Sequence, residues 1–241
     1  MRSAFSFLTV VGRGTSPTPS TFVWFPLVGA LIGLAVGGVW WVGDRLWPPL
    51  VAATLAVSAD LWITGLLHFD GLADAGDGLL ASLTRERRLA VMRDPAVGAF
   101  GLVAVTMVLV MRVAALAATR PSVVAIAGLW CASRTAMVAV TLSVPYARDD
   151  GIVGSFIATT PRSRRLHHAH VVTVIVGLVA AAALLLTSRS ALGLVALAVE
   201  LATVAGVVAL STKRVGGYTG DVLGASGVLG ETLGLIVLAV R

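Results

Sequence analysis

Three aspartates recur at helical intervals in LLHFDGLADAGDGL, residues 66–79: Asp70, Asp74 and Asp77, four and then three positions apart. At about 100° per residue, Asp74 lies about 40° to one side of Asp70 and Asp77 about 20° to the other, so the three carboxylates share one stripe. Like charges at this spacing weaken a helix by roughly a few tenths of a kcal/mol per pair. A dication between them would remove that repulsion. Hard oxygen donors suit Mg²⁺, which takes a few carboxylates and lets substrate phosphates complete its octahedron. Gly71, Gly76 and Gly78 are expected to leave open ground where a headgroup or phosphate can approach. The plain alternative is a solvated acidic loop; the alternating ligands and terminal glutamate of a calcium loop are missing. His68 is either a ligand or base beside Asp70, or an interfacial histidine satisfied at the end of an apolar run.

Further candidates lie downstream. In RRLAVMRDPAVGAFG, Arg93 and Asp94 precede Pro95, where an aspartate also serves as a helix N-cap. In STKRVGGYTGDVLGA, Lys213 and Arg214 supply positive charge, Gly216, Gly217 and Gly220 a pliable backbone, and Asp221 a carboxylate entering a helix. Glycine-rich turns running into helix N-termini can cradle phosphate. Arg134, within an apolar stretch, must face a polar interior. With Tyr146, Arg148, Asp149 and Asp150 of PYARDDG it suggests a further charged wall. The HHAH tract, His167 to His170, reads as juxtamembrane headgroup contact.

The elements that carry these residues must be membrane helices. The chain has 241 residues, 57% hydrophobic and only 12% charged, with mean hydropathy +0.94. An ordinary soluble domain has about twice that charged fraction. The net charge of +6 belongs with arginines in cytoplasmic loops rather than with a nucleic-acid surface. One cysteine, Cys131, excludes an intrachain disulfide and CxxC chemistry. Crossing a bilayer takes about 20 apolar residues, and seven stretches approach that length: Phe22–Val42, Pro49–Phe69, Ala96–Ala118, Ser122–Val144, Val171–Thr187, Ala191–Leu210 and Val222–Val240. The last is singled out for an acid near its middle, Glu231. Residues 1–12 read as a short interfacial or buried helix. The expected fold is an all-α polytopic bundle forming one membrane-embedded domain over residues 1–241.

Arginine and lysine orient it. With the N-terminus in the cytoplasm, that side holds twelve basic residues: Arg2, Arg13, Arg85, Arg87, Arg88, Arg93, Arg148, Arg162, Arg164, Arg165, Lys213 and Arg214. The other side holds four: Arg45, Arg120, Arg189 and Arg241. This asymmetry is the positive-inside pattern. Trp40, Trp41 and Trp47 form an aromatic belt at the opposite end of the first hairpin. All three long polar loops then open onto the cytoplasm, and so does the acidic stripe.

HFDGLADAGDG, then MRDPAVGAFG, SR, YAR and GGYTGDVLGA, with FPLVGALIG before them, resemble in order and spacing the cobalamin synthase family of adenosylcobinamide-GDP ribazoletransferases. The resemblance runs from about Phe25 to Glu231. It implies a multi-pass enzyme of the inner (cytoplasmic) membrane that joins adenosylcobinamide-GDP to α-ribazole or its 5′-phosphate. The products are adenosylcobalamin or its phosphate, plus GMP, with Mg²⁺ as cofactor. By resemblance Asp70, Asp74 and Asp77 hold the metal, Arg93 and Asp94 match the RD element, and the last motif matches Gly217, Gly220, Asp221 and Glu231, bringing the last two into the metal set. Asp94 and His68 then join the catalytic groups, while Arg93, Arg134, Arg148, Lys213 and Arg214 bind substrate phosphates. TVVGRGTSPTP is looser than the family's T-R-x-P-x-P element, and Val228 stands where relatives carry an acid, so no role passes to Arg13 or to a late acidic pair.

Two rival readings fit less well. A CDP-alcohol phosphatidyltransferase also uses aspartates on membrane helices, but its D-G-x-x-A-R signature is missing after DGLAD. An ion-coupled transporter would place its acids near the bilayer midplane. Subunit number and docking of other enzymes of the same pathway are left open by the sequence, as is the choice between α-ribazole and its phosphate.

Overall fold

The computed structural model describes residues 1–11, 18–148 and 164–240. Arg13, Asp149, Asp150, Arg162 and Arg241 lie outside the described residues. A short helix α1 (Arg2–Leu8) and a 3₁₀ turn (Pro19–Trp24) precede α2 (Phe25–Leu46), α3 (Pro49–Thr64), α4 (Leu67–Leu80) and α5 (Arg85–Val91). Then come α6 (Ala99–Ala118), α7 (Val123–Ser143), α8 (Arg164–Val215) and α9 (Gly220–Leu238). Among the described residues there is no strand, only an isolated bridge between Tyr146 and Tyr218.

Local chemistry sets the boundaries. Pro26 opens α2 and Pro49 opens α3, positions where proline's missing N–H costs nothing. Ser122 and Thr219 cap α7 and α9 by accepting Ala125 N–H and Val222 N–H. Gly65 and Leu66 both adopt left-handed backbone, with φ of 58° and 62°. There α4 departs from α3 at 91°. The second expected span therefore does not run straight to Phe69: it breaks at Gly65–Leu66, and the acidic stripe occupies a separate helix.

Among the described residues five helical segments are long and apolar enough to cross a membrane, or six if α3 and α4 form one broken span. The expected seven requires, in addition, that the two arms of α8 count separately. Its 52 residues are interrupted at Ser190, with φ 50° and ψ −138°. A Cβ on Gly193 would sit 2.2 Å from the Leu185 carbonyl oxygen, and Val174 and Leu178 line the same cleft as Leu201 and Val204. In a straight helix residues eight apart are about 12 Å distant, so the chain reverses at Ser190.

Small residues let the helices approach. Ideal Cβ atoms on Gly29, Gly33 and Gly37 would fall 2.4, 2.7 and 2.8 Å from α7 backbone at Trp130, Ala127 and Val123. This is the small-residue seam used where lipid supplies no hydrophobic drive between helices. α7 is buried along most of its length and forms the post around which the others stand.

Candidate active site

A cavity of about 260 Å³ opens where the break after α3, the start of α9 and the chain following α7 converge. Its polar lining is His68 and Asp70 from α4, Tyr146 and Arg148 after α7, and Asp221 from the first turn of α9. Its apolar lining comes from Phe7, Leu8, Phe22 and Phe25 at the N-terminus, with Met137 and Leu223. Arg148 donates to Asp221 Oδ2 at 2.9 Å and to the Met92 carbonyl at 3.4 Å. Thr219, which caps α9, also donates to Asp221 Oδ2 at 3.2 Å. A carboxylate in the first turn of a helix is further favoured by the helix dipole.

Close packing of α4 against α9 brings Asp70 and Asp221 together. A Cβ on Gly71 would lie 2.8 Å from the Asp221 carbonyl oxygen, and one on Gly224 would lie 3.2 Å from His68 Cα. Similarly, Gly76 meets Gly101 of α6 and Gly78 meets Met92. The glycines among the aspartates are thus filled by neighbouring helices, not left open for a phosphate as the sequence suggested. A helix can present its carboxylates to a cavity only if something holds it there, and these contacts do so.

The three aspartates of the stripe have separate surroundings. Asp70 is exposed and lines the cavity. Asp74, half-buried, is repelled by Asp221, Asp70 and Asp77 and attracted by Arg148. Asp77 is buried, and its oxygens accept Gly98 N–H at 2.7 Å and Gly101 N–H at 2.9 Å. It therefore satisfies orphan donors at the N-terminus of α6.

Several other expected residues stand apart from the cavity. Glu231 is fully buried between Arg112, 2.5 Å from Oε2, and Arg134, which bonds Oε1. Arg134 faces the polar interior the sequence required, yet it is spent on Glu231 and lies 3.4 Å from His68 Nδ1. Arg93 and Asp94 are exposed, and Asp94 accepts the Ala96 N–H at 3.0 Å in a local turn. Lys213 lines the apolar cleft between the arms of α8. Arg214, with Arg88, bonds the last carbonyls of α4 at Gly78 and Leu79, complementing the negative end of that helix. Gly217 packs its Cα against Pro145, where a Cβ would meet the carbonyl oxygen at 2.2 Å. It lets residues 145–147 pair with Tyr218 through Tyr218 N–H to Pro145 O and Ala147 N–H to Tyr218 O. Gly220 lines the cavity. In the HHAH tract, His170 is buried and bonds the Pro19 carbonyl at 2.9 Å, fastening the 3₁₀ turn instead of meeting lipid.

Among the described residues no three His, Cys, Asp or Glu side chains stand close enough to hold an ion by themselves. Magnesium does not require three: it is commonly bound by one or two carboxylates, with substrate phosphate and water completing the shell. Asp70 and Asp221, with the repelled Asp74 behind them, fit that demand.

A family model for cobalamin-5-phosphate synthase matches residues 1–239. The chain belongs to the cobalamin-5-phosphate synthase family. Curated relatives agree over most of their length. An adenosylcobinamide-GDP ribazoletransferase from Bradyrhizobium diazoefficiens is 36% identical over 99% of this chain and 92% of its own. One from Pseudomonas paraeruginosa is 38% identical over 98% and 96%, and one from Chlorobaculum tepidum 36% over 93% and 87%. No solved structure matches the chain. Membership in the cobalamin-5-phosphate synthase family leaves the two rival readings without support.

Sequence reasoning passed over part of this family member's polar interior. Arg112 donates to Asp60 Oδ2 at 2.7 Å and to Thr232 at 2.9 Å, and Trp130 Nε1 donates to Asp60 Oδ1 at 2.9 Å. Glu200 is also wholly buried, and among the described residues neither of its oxygens has a hydrogen-bond partner. Asp60 and Glu200 are lone acids in apolar runs, and that was the signal available: an ionisable group at such a position marks a polar interior.

Proposed function

We propose that the cavity bounded by Asp70, His68, Arg148 and Asp221 is where this transferase joins its two substrates. The chain is an adenosylcobinamide-GDP ribazoletransferase, catalysing the final step of cobalamin assembly. The single observation that carries the site is the convergence of Asp70 and Asp221 from distant segments onto one cavity beside Arg148.

In the reaction, a ribose hydroxyl of α-ribazole forms a new bond to the corrinoid-side phosphorus of the diphosphate. The bond to the phosphate of GMP breaks, and the hydroxyl proton passes to the enzyme. Such transfers depend mainly on positioning and charge neutralisation. Mg²⁺ held by Asp70 and Asp221 would neutralise diphosphate oxygens and stabilise the departing GMP. Arg148, fixed by Asp221, presents donors to the same phosphates. His68 Nδ1 faces the Arg134 guanidinium, so the ring proton sits on Nε2 and His68 serves as a donor. Asp74, half-buried and then crowded by like charges, is the better proton acceptor. The cavity faces the cytoplasm of the inner membrane, as the basic loops around it favour.

The test is turnover in liposomes with adenosylcobinamide-GDP, α-ribazole and Mg²⁺, following GMP release. Wild type should make product and lose activity with EDTA. Asp221→Asn should lose on the order of a hundredfold in kcat, the scale seen when one transition-state charge contact is removed. An Asp221→Asn enzyme matching wild type would sink the proposed site. Sidedness has its own check: Arg87→Cys in a Cys131→Ser background should react with an impermeant maleimide only after the membrane is opened. Labelling from outside intact cells would reverse the orientation.

A further inference from the structure

We propose that Phe7, Phe22 and Phe25 form the seat of the flat base of α-ribazole, making the N-terminal segment the acceptor-specificity element. This rests on the transferase reading above. The cavity, at about 260 Å³, is smaller than the roughly 300–1,000 Å³ of pockets that take drug-sized ligands. The corrinoid-nucleotide donor cannot enter it whole, so beside the reacting diphosphate the cavity has room for one flat fragment.

The lining identifies the fragment. Phe22 and Phe25 have ring centroids 4.9 Å apart, and Phe7 stacks on Phe25 at 5.9 Å with planes 21° apart. Phe22 also meets the edge of His170, which is tied to Pro19, so the aromatic wall is already built. Two flat groups are on offer, the guanine of the donor and the benzimidazole of the acceptor. Guanine carries hydrogen-bonding groups around its rim, and each one buried without a partner costs about 1–3 kcal/mol. The phenylalanine, leucine and methionine side chains of this wall answer none of them, and Asp70, Arg148 and Asp221, which could, are the groups assigned above to the metal and the diphosphate. The dimethylated benzimidazole of α-ribazole presents methyl groups and a single free nitrogen, which this wall suits. A base seated there also directs its attached ribose toward the carboxylates in the same cavity, where a hydroxyl has to react.

The experiment separates the two substrates. In liposomes, KM is measured for α-ribazole at saturating adenosylcobinamide-GDP and for the donor at saturating α-ribazole, with Phe7→Ala, Phe7→Tyr and Phe22→Leu. Loss of one base–aromatic contact is expected to raise KM for α-ribazole about tenfold or more. The donor KM should stay near wild type, and Phe7→Tyr should restore the acceptor KM. A rise confined to the donor KM, or a fall in kcat with both KM values intact, overturns the assignment. A second readout needs no turnover: equilibrium dialysis of free 5,6-dimethylbenzimidazole against the wild-type protein and Phe7→Ala. Binding to wild type that Phe7→Ala loses supports the seat even if wild-type turnover fails, which would then count against the transferase reading alone. No binding to wild type, or equal binding to the variant, overturns it.

Discussion

Asp70 and Asp77 sit two turns apart on α4 and do different work. The oxygens of Asp77 are taken by Gly98 N–H and Gly101 N–H, and replacing it leaves buried donors unmatched at about 1–3 kcal/mol each. Asp77→Asn should therefore lower the thermal unfolding temperature in detergent, while the folded fraction keeps its turnover and EDTA sensitivity. Asp70 has the opposite position: it is exposed and adds to the negative charge that repels Asp74. Asp70→Asn should leave the unfolding temperature unchanged or raised, and cut kcat by on the order of a hundredfold. An Asp77→Asn protein of full stability and no activity would return Asp77 to the metal set. The four-then-three spacing revealed the stripe, but it could not separate these roles. The difference lies in which carboxylate meets the start of α6, a contact made across the fold.

At the scale of elements, the site depends on how closely α4 approaches α9. The helical period of the aspartates and the entry of Asp221 into a helix after a glycine-rich turn were readable from local chemistry. The 91° turn was not, because Leu66 adopts a left-handed backbone that its side chain does not advertise. The glycines were misread for a related reason: a residue without a side chain suits an open ligand surface and a tight helix contact equally well. Gly71 decides between them. Its ideal Cβ falls 2.8 Å from the Asp221 carbonyl oxygen and 3.0 Å from Asp221 Cα, backbone atoms that cannot turn aside. Gly71→Ala must push the start of α9 away and carry Asp221 from Asp70. A displacement near 1 Å is enough to cost about a hundredfold in rate. We expect Gly71→Ala to lower kcat far more than Gly38→Ala, at a position where an added Cβ meets nothing within 4 Å. Equal kinetics in the two variants would mean that the α4–α9 contact does not set the catalytic geometry.

Across the whole molecule, the bundle is held by charge as well as by shape. Arg134 was read in the sequence as an arginine within an apolar stretch, Arg112 carries the same signal, and each had to find partners. Which acids answer them depends on how α3, α7 and α9 surround α6, and pattern alone does not specify that. The network has an internal balance that can be tested. Asp60 pairs with Arg112, while Glu231 is shared by Arg112 and Arg134. Arg112→Met leaves Asp60 with only the Trp130 N–H and Glu231 with only Arg134. Removing one partner of a buried pair typically costs about 3–5 kcal/mol, because an uncompensated charge is left behind. Adding Asp60→Leu to Arg112→Met removes that stranded charge and leaves Glu231 paired with Arg134. Replacing a buried pair by apolar residues of similar volume is often neutral, so the double variant should unfold at a higher temperature than Arg112→Met alone. Differential scanning fluorimetry of the three proteins in one detergent measures this directly. If the double variant is no more stable than the single one, the loss comes from Arg112's packing and its bonds to Thr232 and the Val228 carbonyl, and charge balance is not what holds these helices together.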